Sequence, residues 1–484
     1  MAIWYDVSDL TTWTLPHLTG IQRTSIGILN GLIAKDARPR LVRYDSSRQV
    51  FLPIDATELP AAVQRHIPTA AVAGGGESAA VSKPVLAALP APNRRRRRFF
   101  HRDRLLGTSP AAADLRQSFR EFKLAARQFR RKLARWSAVR CTEAVPSARS
   151  QASHFGRTTV PRELPHAVAD TGPLLAGDVI VSLGASWSIG GHAEAIAGLR
   201  QQGIRVVRMV YDLIPTLKPQ WVEDTSVRLI TNWVRRILTE SDHVLTISDF
   251  SRSEIERYCK ESSFGVPPLS VVRLGDELAS ADDPHPPLPR FVPQRPFFVC
   301  ISTVDVRKNH RLLYDAWSVM AARNPQECPD LICVGVPHLY VADLLREIRQ
   351  DWNVNGRIHF LQGVDDPELA WYYRHCAATI YPSRYEGWGL PVAESLGHGR
   401  LCLASNATSI PEISSDLPIF FDPLDVHGLV ALVDRTLSDP EWVSGREAEI
   451  RSRFRSTPWT HTAGQVLAAV EATLKDASLT REAA

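Results

Sequence analysis

Short apolar runs alternate with amphipathic stretches along most of this chain. Residues 179–183, 206–212 and 243–248 are rich in Val, Ile and Leu and are too short to be helices, whereas residues 227–237 repeat apolar positions at helical spacing. Continuous β-branched runs separated by helices predict a parallel sheet covered on both faces. The rhythm restarts downstream, with strands predicted at 297–301, 331–334, 358–361, 378–381, 401–404 and 419–421. At the N-terminus, residues 4–7 predict a strand, residues 15–20 a loop, the residues from 21 a helix with an apolar stripe, and residues 41–44 a second strand. Six prolines within residues 281–296 predict a linker and hinge between the two halves. The expected fold class is α/β: two doubly wound Rossmann-like domains, residues 1–285 and 286–456, facing a cleft that holds the site.

Two stretches break this rhythm. Residues 56–93 are rich in Ala, Pro and Gly and read as a mobile linker. Residues 94–140 hold 16 Lys or Arg against three acids, so the formal net charge of +5 belongs to this segment and the remainder is net acidic. Inside it, Leu115, Phe119, Phe122, Ala126, Phe129, Leu133 and Trp136 recur at steps of three and four, a helical stripe ringed by arginines. Residues 56–160 are thus expected to form a basic helical insertion in the first domain. Two readings of that helix stay open. It lies on an anionic inner-membrane surface, where each basic residue contributes ~1 kcal/mol, or it packs on the body or against a second copy in a homo-oligomer. Nucleic acid is disfavoured, because no recognition motif or aromatic base platform accompanies the charge.

Composition narrows the class further. With 484 residues, 44% hydrophobic and 23% charged, the chain suits a two- or three-domain globular enzyme. No apolar run approaches the ~18–20 residues that span a bilayer, and an acid at Asp6 argues against a secretory signal. The expected location is cytoplasmic, with peripheral attachment to the inner membrane if the basic segment binds it. Seven scattered cysteines without a Cys-x-x-Cys pair read as buried, reduced thiols. The sequence has no Asp-x-Asp pair and no His/Cys cluster at ligand spacing, so no metal is expected.

The densest candidate chemistry is Glu386-Gly387-Trp388-Gly389-Leu390-Pro391-Val392-Ala393-Glu394. Gly387, Gly389 and Pro391 forbid a continuous helix, so strand, tight turn, helix is expected. The glycines let backbone amides approach a ligand, and a helix N-terminus favours an anion. Glu386 would stand in the loop and Glu394 about one turn inside the helix, both able to accept hydrogen bonds from hydroxyls. Anion-holding amides between two hydroxyl-reading carboxylates suit a nucleotide sugar.

Four features, in order, resemble the retaining GT-B glycosyltransferases of glycosyltransferase family 4: Thr19-Gly20-Ile21-Gln22-Arg23, Tyr211-Asp212-Leu213-Ile214-Pro215, Val306-Arg307-Lys308-Asn309, and Tyr381-Pro382-Ser383 with Glu386 and Glu394. The openings Asp6-Val7-Ser8 and Leu183-Gly184-Ala185-Ser186-Trp187 look most like O-antigen mannosyltransferases within that family. The resemblance implies that Glu386 contacts the transferred sugar, that Glu394 holds the ribose hydroxyls, and that the amides of Gly387, Trp388, Gly389 and Leu390 line the donor pocket. It places Arg307 and Lys308 on the diphosphate, where fixed cations stabilise the leaving group, with Ser302 or Thr303 bonding a phosphate oxygen. Gly20 would face the diphosphate across the cleft. Thr19, Arg23, Trp187 and Tyr211 are candidates for the acceptor side, and Asp212 either orients its loop or touches substrate. A last helix, residues 457–484, would cross back to the first domain. The expected activity is metal-independent, retaining, front-face transfer of a hexose, best matched by mannose from GDP-mannose, onto a lipid-linked surface polysaccharide of O-antigen or capsule type. GDP-fucose and dTDP-rhamnose remain open as donors, and a nucleotide-sugar 2-epimerase or a non-catalytic binding module as rival functions.

Overall fold

In the computed structural model, residues 1–13, 20–67, 173–277, 288–354 and 356–482 are described. The chain divides into two compact units, residues 1–75 with 167–484, and residues 76–166. The second unit, with the predicted basic helix at 94–140, lies outside the described residues, as do Thr19 and residues 278–287 of the Pro-rich linker.

Two sheets build the first unit. One comprises β1 (Ile3–Asp6), β2 (Arg40–Asp45), β3 (Val50–Pro53), β4 (Val179–Ser182), β5 (Arg205–Met209), β6 (His243–Thr246) and β7 (Leu269–Val271), in the order β3-β2-β1-β4-β5-β6-β7. The other comprises β8 (Phe297–Ile301), β9 (Asp330–Val334), β10 (Ile358–Leu361), β11 (Ala378–Tyr381), β12 (Cys402–Ser405) and β13 (Ile419–Phe421), in the order β10-β9-β8-β11-β12-β13. Pairing is parallel throughout except between β2 and β3. The expected α/β class with two doubly wound sheets is what the chain adopts. In both sheets the strand order reverses once, beside β1/β4 and beside β8/β11. Loops leaving the carboxyl ends of such strand pairs diverge and leave a crevice for ligand.

The local reasons are visible in burial. All four residues of β4 and all five of β9 are buried, as strands covered by helices on both faces require. On one face of the first sheet, helix Gly20–Ala34 packs against helix Trp459–Glu482. Gly27 and Gly31 make this possible, because a Cβ on either would collide with Trp459. The chain therefore returns to the first lobe, built on the first sheet, after completing the second lobe, built on the second sheet. On the opposite face, at the carboxyl end of β1, the Asp6 carboxylate accepts hydrogen bonds from the Ser8 amide (3.0 Å) and the Ser182 hydroxyl (2.6 Å), and meets His192 Nε2 at 2.7 Å. These bonds satisfy a buried acid. Burial pulls the Asp6 carboxyl upward, but His192 and the hydroxyls win and hold it at about 2.

Some expectations fail here. Residues 56–67 are not linker: Ala56, Leu59, Val63 and Ile67 are buried in the core around a short turn and the helix Ala61–Gln64. Their spacing of three and four is helical, but Ala- and Pro-rich composition hides it. The edge strands β3 and β7 do not stand out in the apolar pattern. β3 is antiparallel, and β7 is three half-buried residues. The predicted strand at 206–212 stops at Met209, which frees Tyr211 and Asp212 for the loop facing the second sheet.

Candidate active site

The two loops at the reversal point of the second sheet carry the charge. After β8, residues 302–309 turn into helix His310–Arg323. Asn309 adopts a left-handed conformation (φ 61°), and its Nδ2 donates to the Pro382 carbonyl at 3.1 Å and the Pro423 carbonyl at 2.8 Å. The Arg384 amide donates to the Arg307 carbonyl at 2.9 Å. These bonds fasten the β8 loop to the β11 loop, so Lys308 meets Glu386 although 78 positions separate them. Lys308 Nζ lies 2.5 Å from one Glu386 oxygen and Arg307 Nη1 2.6 Å from the other. The Ser383 hydroxyl donates to Glu386 at 2.6 Å, and Lys308 also reaches the Tyr381 hydroxyl at 2.8 Å.

Burial would raise the Glu386 carboxyl, but Arg307 and Lys308 overcome it and hold the group at about 2. Burial lowers the Lys308 ammonium more than Glu386 raises it, whereas for Arg307 the pull of Glu386 and its neighbours outweighs burial and the shift is upward. A dianionic ligand beside Lys308 would add negative charge where burial has removed water.

Eight residues on, Glu394 sits inside the helix Leu390–Gly397. Gly389 permits the entry turn, with φ 132° closed to other residues. Glu394 accepts from the Tyr373 hydroxyl at 2.8 Å, and Arg23 Nη1 lies 3.3 Å away. Arg23 belongs to helix Gly20–Ala34 of the first lobe, so this ion pair crosses the cleft. Trp388 packs in the core with the Arg273 guanidinium 5.2 Å above its ring. Ser302 is half-buried, Thr303 is exposed, and Leu390 is half-buried at the helix start.

The first lobe closes over the Glu386 loop. A Cβ on Gly387 would lie 2.8 Å from the Tyr211 carbonyl oxygen and 3.0 Å from Asp212 Cβ. Asp212 accepts from the Ile214 amide at 2.9 Å and is raised by burial, with Arg307 opposing. It therefore orients its own turn while standing in the field of the cationic pair. Tyr211 and Trp187 have structural occupations: the Tyr211 hydroxyl donates to the Leu183 carbonyl at 2.9 Å, and Trp187 meets Trp233 edge-on at 5.3 Å. Gly20 is exposed at its helix start, and a Cβ placed there would meet nothing within 4 Å. Sequence reasoning missed Thr408 and Ser409, whose hydroxyls bond the main chain of Glu386. It also gave Ser383 no bond to the carboxylate and Asn309 no fastening role. Only spatial proximity reveals these contacts.

Residues 295–439 match the family described as glycosyl transferases group 1. This segment is a group 1 glycosyl transferase domain. It contains Arg307, Lys308, Glu386 and Glu394, the whole charged cluster of the second sheet. Among similar proteins, O-antigen chain mannosyltransferase B of Escherichia coli is 27% identical over 279 residues, covering 54% of this chain and 69% of that protein. Serotype-specific mannosyltransferase WbdA of Escherichia coli is 25% identical, and the match spans 54% of this chain but only 32% of WbdA. MMP alpha-(1->4)-mannosyltransferase of Mycolicibacterium hassiacum is 24% identical over 55% of this chain and 67% of its own length. Among solved structures, an alpha,alpha-trehalose-phosphate synthase (UDP-forming) from Burkholderia vietnamiensis is 13% identical, with a TM-score of 0.48 over 63% of this chain and 73% of that chain. Among the described residues, no helix is long and apolar enough to cross a membrane.

Proposed function

We propose that this glycosyltransferase is a retaining, metal-independent mannosyltransferase that uses GDP-mannose to extend a lipid-linked surface polysaccharide of O-antigen or capsule type. The observation that carries the reading is the Glu386 carboxylate clamped between Arg307 and Lys308 at the strand-order reversal of the group 1 domain, with Glu394 one turn into the next helix. When the donor's diphosphate enters, Arg307 and Lys308 turn to it and free Glu386 to accept from sugar hydroxyls, while Glu394 receives the ribose hydroxyls in exchange for Arg23. In front-face transfer the bond from the anomeric carbon to the diphosphate oxygen breaks, and the acceptor hydroxyl adds from the same side and passes its proton to that oxygen. The two cations stabilise the negative charge that builds on the leaving group, a preorganised stabilisation of the kind that dominates enzymatic rate enhancement. They do so without a divalent ion. The choice of a mannose donor follows the mannosyltransferase relatives. The basic residues 94–140 would hold the enzyme at an anionic inner-membrane surface where a lipid-linked acceptor resides.

The test is nucleoside diphosphate release from GDP-mannose, GDP-fucose and dTDP-rhamnose, with and without acceptor glycan and with chelator present. Acceptor-dependent, chelator-insensitive release from GDP-mannose with an α-linked product is expected. Conversion of the donor to its C2 epimer without acceptor would instead identify an epimerase, and an inverted anomer would refute retention.

A further inference from the structure

The segment after β12 holds the Glu386 loop at one end and the opposite lobe at the other. Thr408 is a β-branched residue in the left-handed region, φ 53°, a conformation such residues avoid unless the surroundings impose it. That backbone aims its hydroxyl at the main chain of Glu386, where it accepts from the amide at 2.9 Å and donates to the carbonyl at 3.0 Å. Ser409 adds a hydroxyl within 2.9 Å of the Glu386 carbonyl and 3.1 Å of the Trp388 carbonyl. One short turn later, Ile410–Glu412, the Glu412 carboxylate crosses to the first lobe. It accepts from the Asp249 amide at 2.8 Å and the Phe250 amide at 2.7 Å, at the N-terminus of helix Asp249–Glu261. A carboxylate there satisfies orphan amides and meets the positive end of the helix dipole.

The circuit then closes on itself. In the first turn of that helix, the Ser251 hydroxyl donates to the Tyr211 carbonyl at 3.2 Å, and the same carbonyl faces Gly387 beside Glu386. Phe250 and Trp221 pack edge-on against Tyr385, 5.6 and 6.3 Å between ring centres, directly before Glu386. The Glu386 loop is therefore gripped through its backbone by residues 408 and 409 and through its flank by residues 211, 221 and 250. Glu412 is the link between the two grips.

We propose that Glu412 is a positioning residue which couples closure of the lobes to the geometry of the Glu386 loop. Its carboxylate finds the two amides only when the lobes are together, and the rigid turn between Thr408 and Glu412 transmits that docking to Glu386. The kinetic part of this proposal rests on the transferase reading, and the structural part does not.

The experiment compares the wild-type chain with Glu412→Ala and Glu412→Gln, the second retaining size and one acceptor oxygen. In the absence of ligand, hydrogen–deuterium exchange over residues 383–390 should rise at least threefold in Glu412→Ala, and small-angle scattering should show a larger radius of gyration. Glu412→Gln should fall between the two. With GDP-mannose, kcat should drop at least tenfold while KM for the donor changes less than threefold, because Arg307, Lys308 and Glu394, the proposed diphosphate and ribose contacts, lie outside the loop that Glu412 steadies. Unchanged exchange and scattering in both variants would overturn the proposal, as would a kcat loss matched by an equal loss of folded protein. If the wild-type chain transfers no sugar, the mannosyltransferase reading fails, while exchange and scattering still decide the role of Glu412.

Discussion

Replacing Gly387 with alanine should separate binding from transfer. The φ of Gly387 lies outside the left-handed region, so alanine brings no left-handed strain. The cost is contact alone: the new methyl would stand 2.8 Å from the Tyr211 carbonyl oxygen and 3.0 Å from Asp212 Cβ. Neither neighbour yields cheaply. The Tyr211 carbonyl is bonded to Ser251, its hydroxyl to Leu183, and the Asp212 carboxylate to the Ile214 amide. Overpacking a well-ordered contact costs about 1–3 kcal/mol, and the lobes can escape it by moving apart. The closed population should fall by a factor of roughly 5 to 150, since ~1.4 kcal/mol is tenfold. Alanine keeps the residue 387 amide and leaves Arg307, Lys308 and Glu394, the proposed diphosphate and ribose contacts, in place, so GDP affinity by calorimetry should stay within about threefold while transfer drops with the closed population. Gly389→Ala is the contrast: at φ 132° any side chain strains the turn itself, so binding and transfer should fail together. A Gly387→Ala enzyme that releases nucleoside diphosphate at the wild-type rate would refute the closed-cleft geometry as the working state.

Lys308→Met should lower kcat by about 10²–10³, the usual consequence of deleting one preorganised charge, in a protein whose circular dichroism is unchanged; a loss under threefold would remove Lys308 from the mechanism. Because Glu386 is held at about 2, it stays ionised above that value, and its stabilising effect is complete above its unfolded value near 4.5 and is lost as pH falls from there through about 2. Any acid limb in the rate profile between pH 4 and 7 must then survive in Glu386→Gln, measured on its residual activity. Arg23→Met should change donor KM two- to tenfold with little effect on kcat, since Arg23 is a third exposed and pairs with Glu394; an unchanged KM argues against ribose binding by Glu394. Asp276, bonded to the Thr457 amide at 2.6 Å, is raised by burial to about 6. Its folded value lies above its unfolded one, so its stabilising effect is complete below about pH 4 and is lost as pH rises through about 6. Asp276→Asn should flatten that decline in urea titrations by an amount on the order of 3 kcal/mol, and an unchanged slope would reject the assignment.

Which loops carry chemistry is legible in the sequence, but not how they meet. Strand positions in the group 1 domain follow from runs such as Phe297–Ile301 and Ala378–Tyr381, because strands buried on both faces need continuous apolar residues. Loop conformation is equally legible at Gly389 and Pro391, where few alternatives exist. Contacts such as Lys308 to Glu386, Asp6 to His192 and Glu412 to the Asp249 amide are different in kind. They join residues 78, 186 and 163 positions apart, and only the strand order sets such pairs side by side. Residues 56–67 escape recognition because alanine carries little hydrophobic contrast, and β3 because four residues ending in Pro53 resemble a turn.

The contacts between the lobes are unequal, and their inequality bears on how a donor enters. Gly387, Trp388 and Gly389 are all buried, so the loop that would hold the sugar is covered from the first lobe. Three of the contacts that cover it are local and separable: the Glu412 carboxylate on two amides, the Arg23–Glu394 ion pair, and Gly387 against Tyr211. A fourth is of another kind. Where the chain returns to the first lobe, the Asp276 amide donates to the Thr457 carbonyl, the Thr457 amide donates to the Asp276 carboxylate, and Arg273 Nε reaches the Thr457 hydroxyl. Main-chain bonds reinforced by a buried acid and by Trp459 wedged against Gly275 resist separation far more than a single half-exposed ion pair. An opening that admits a nucleotide would therefore break the first three contacts before the fourth, with the Thr457 end of the cleft the last to part.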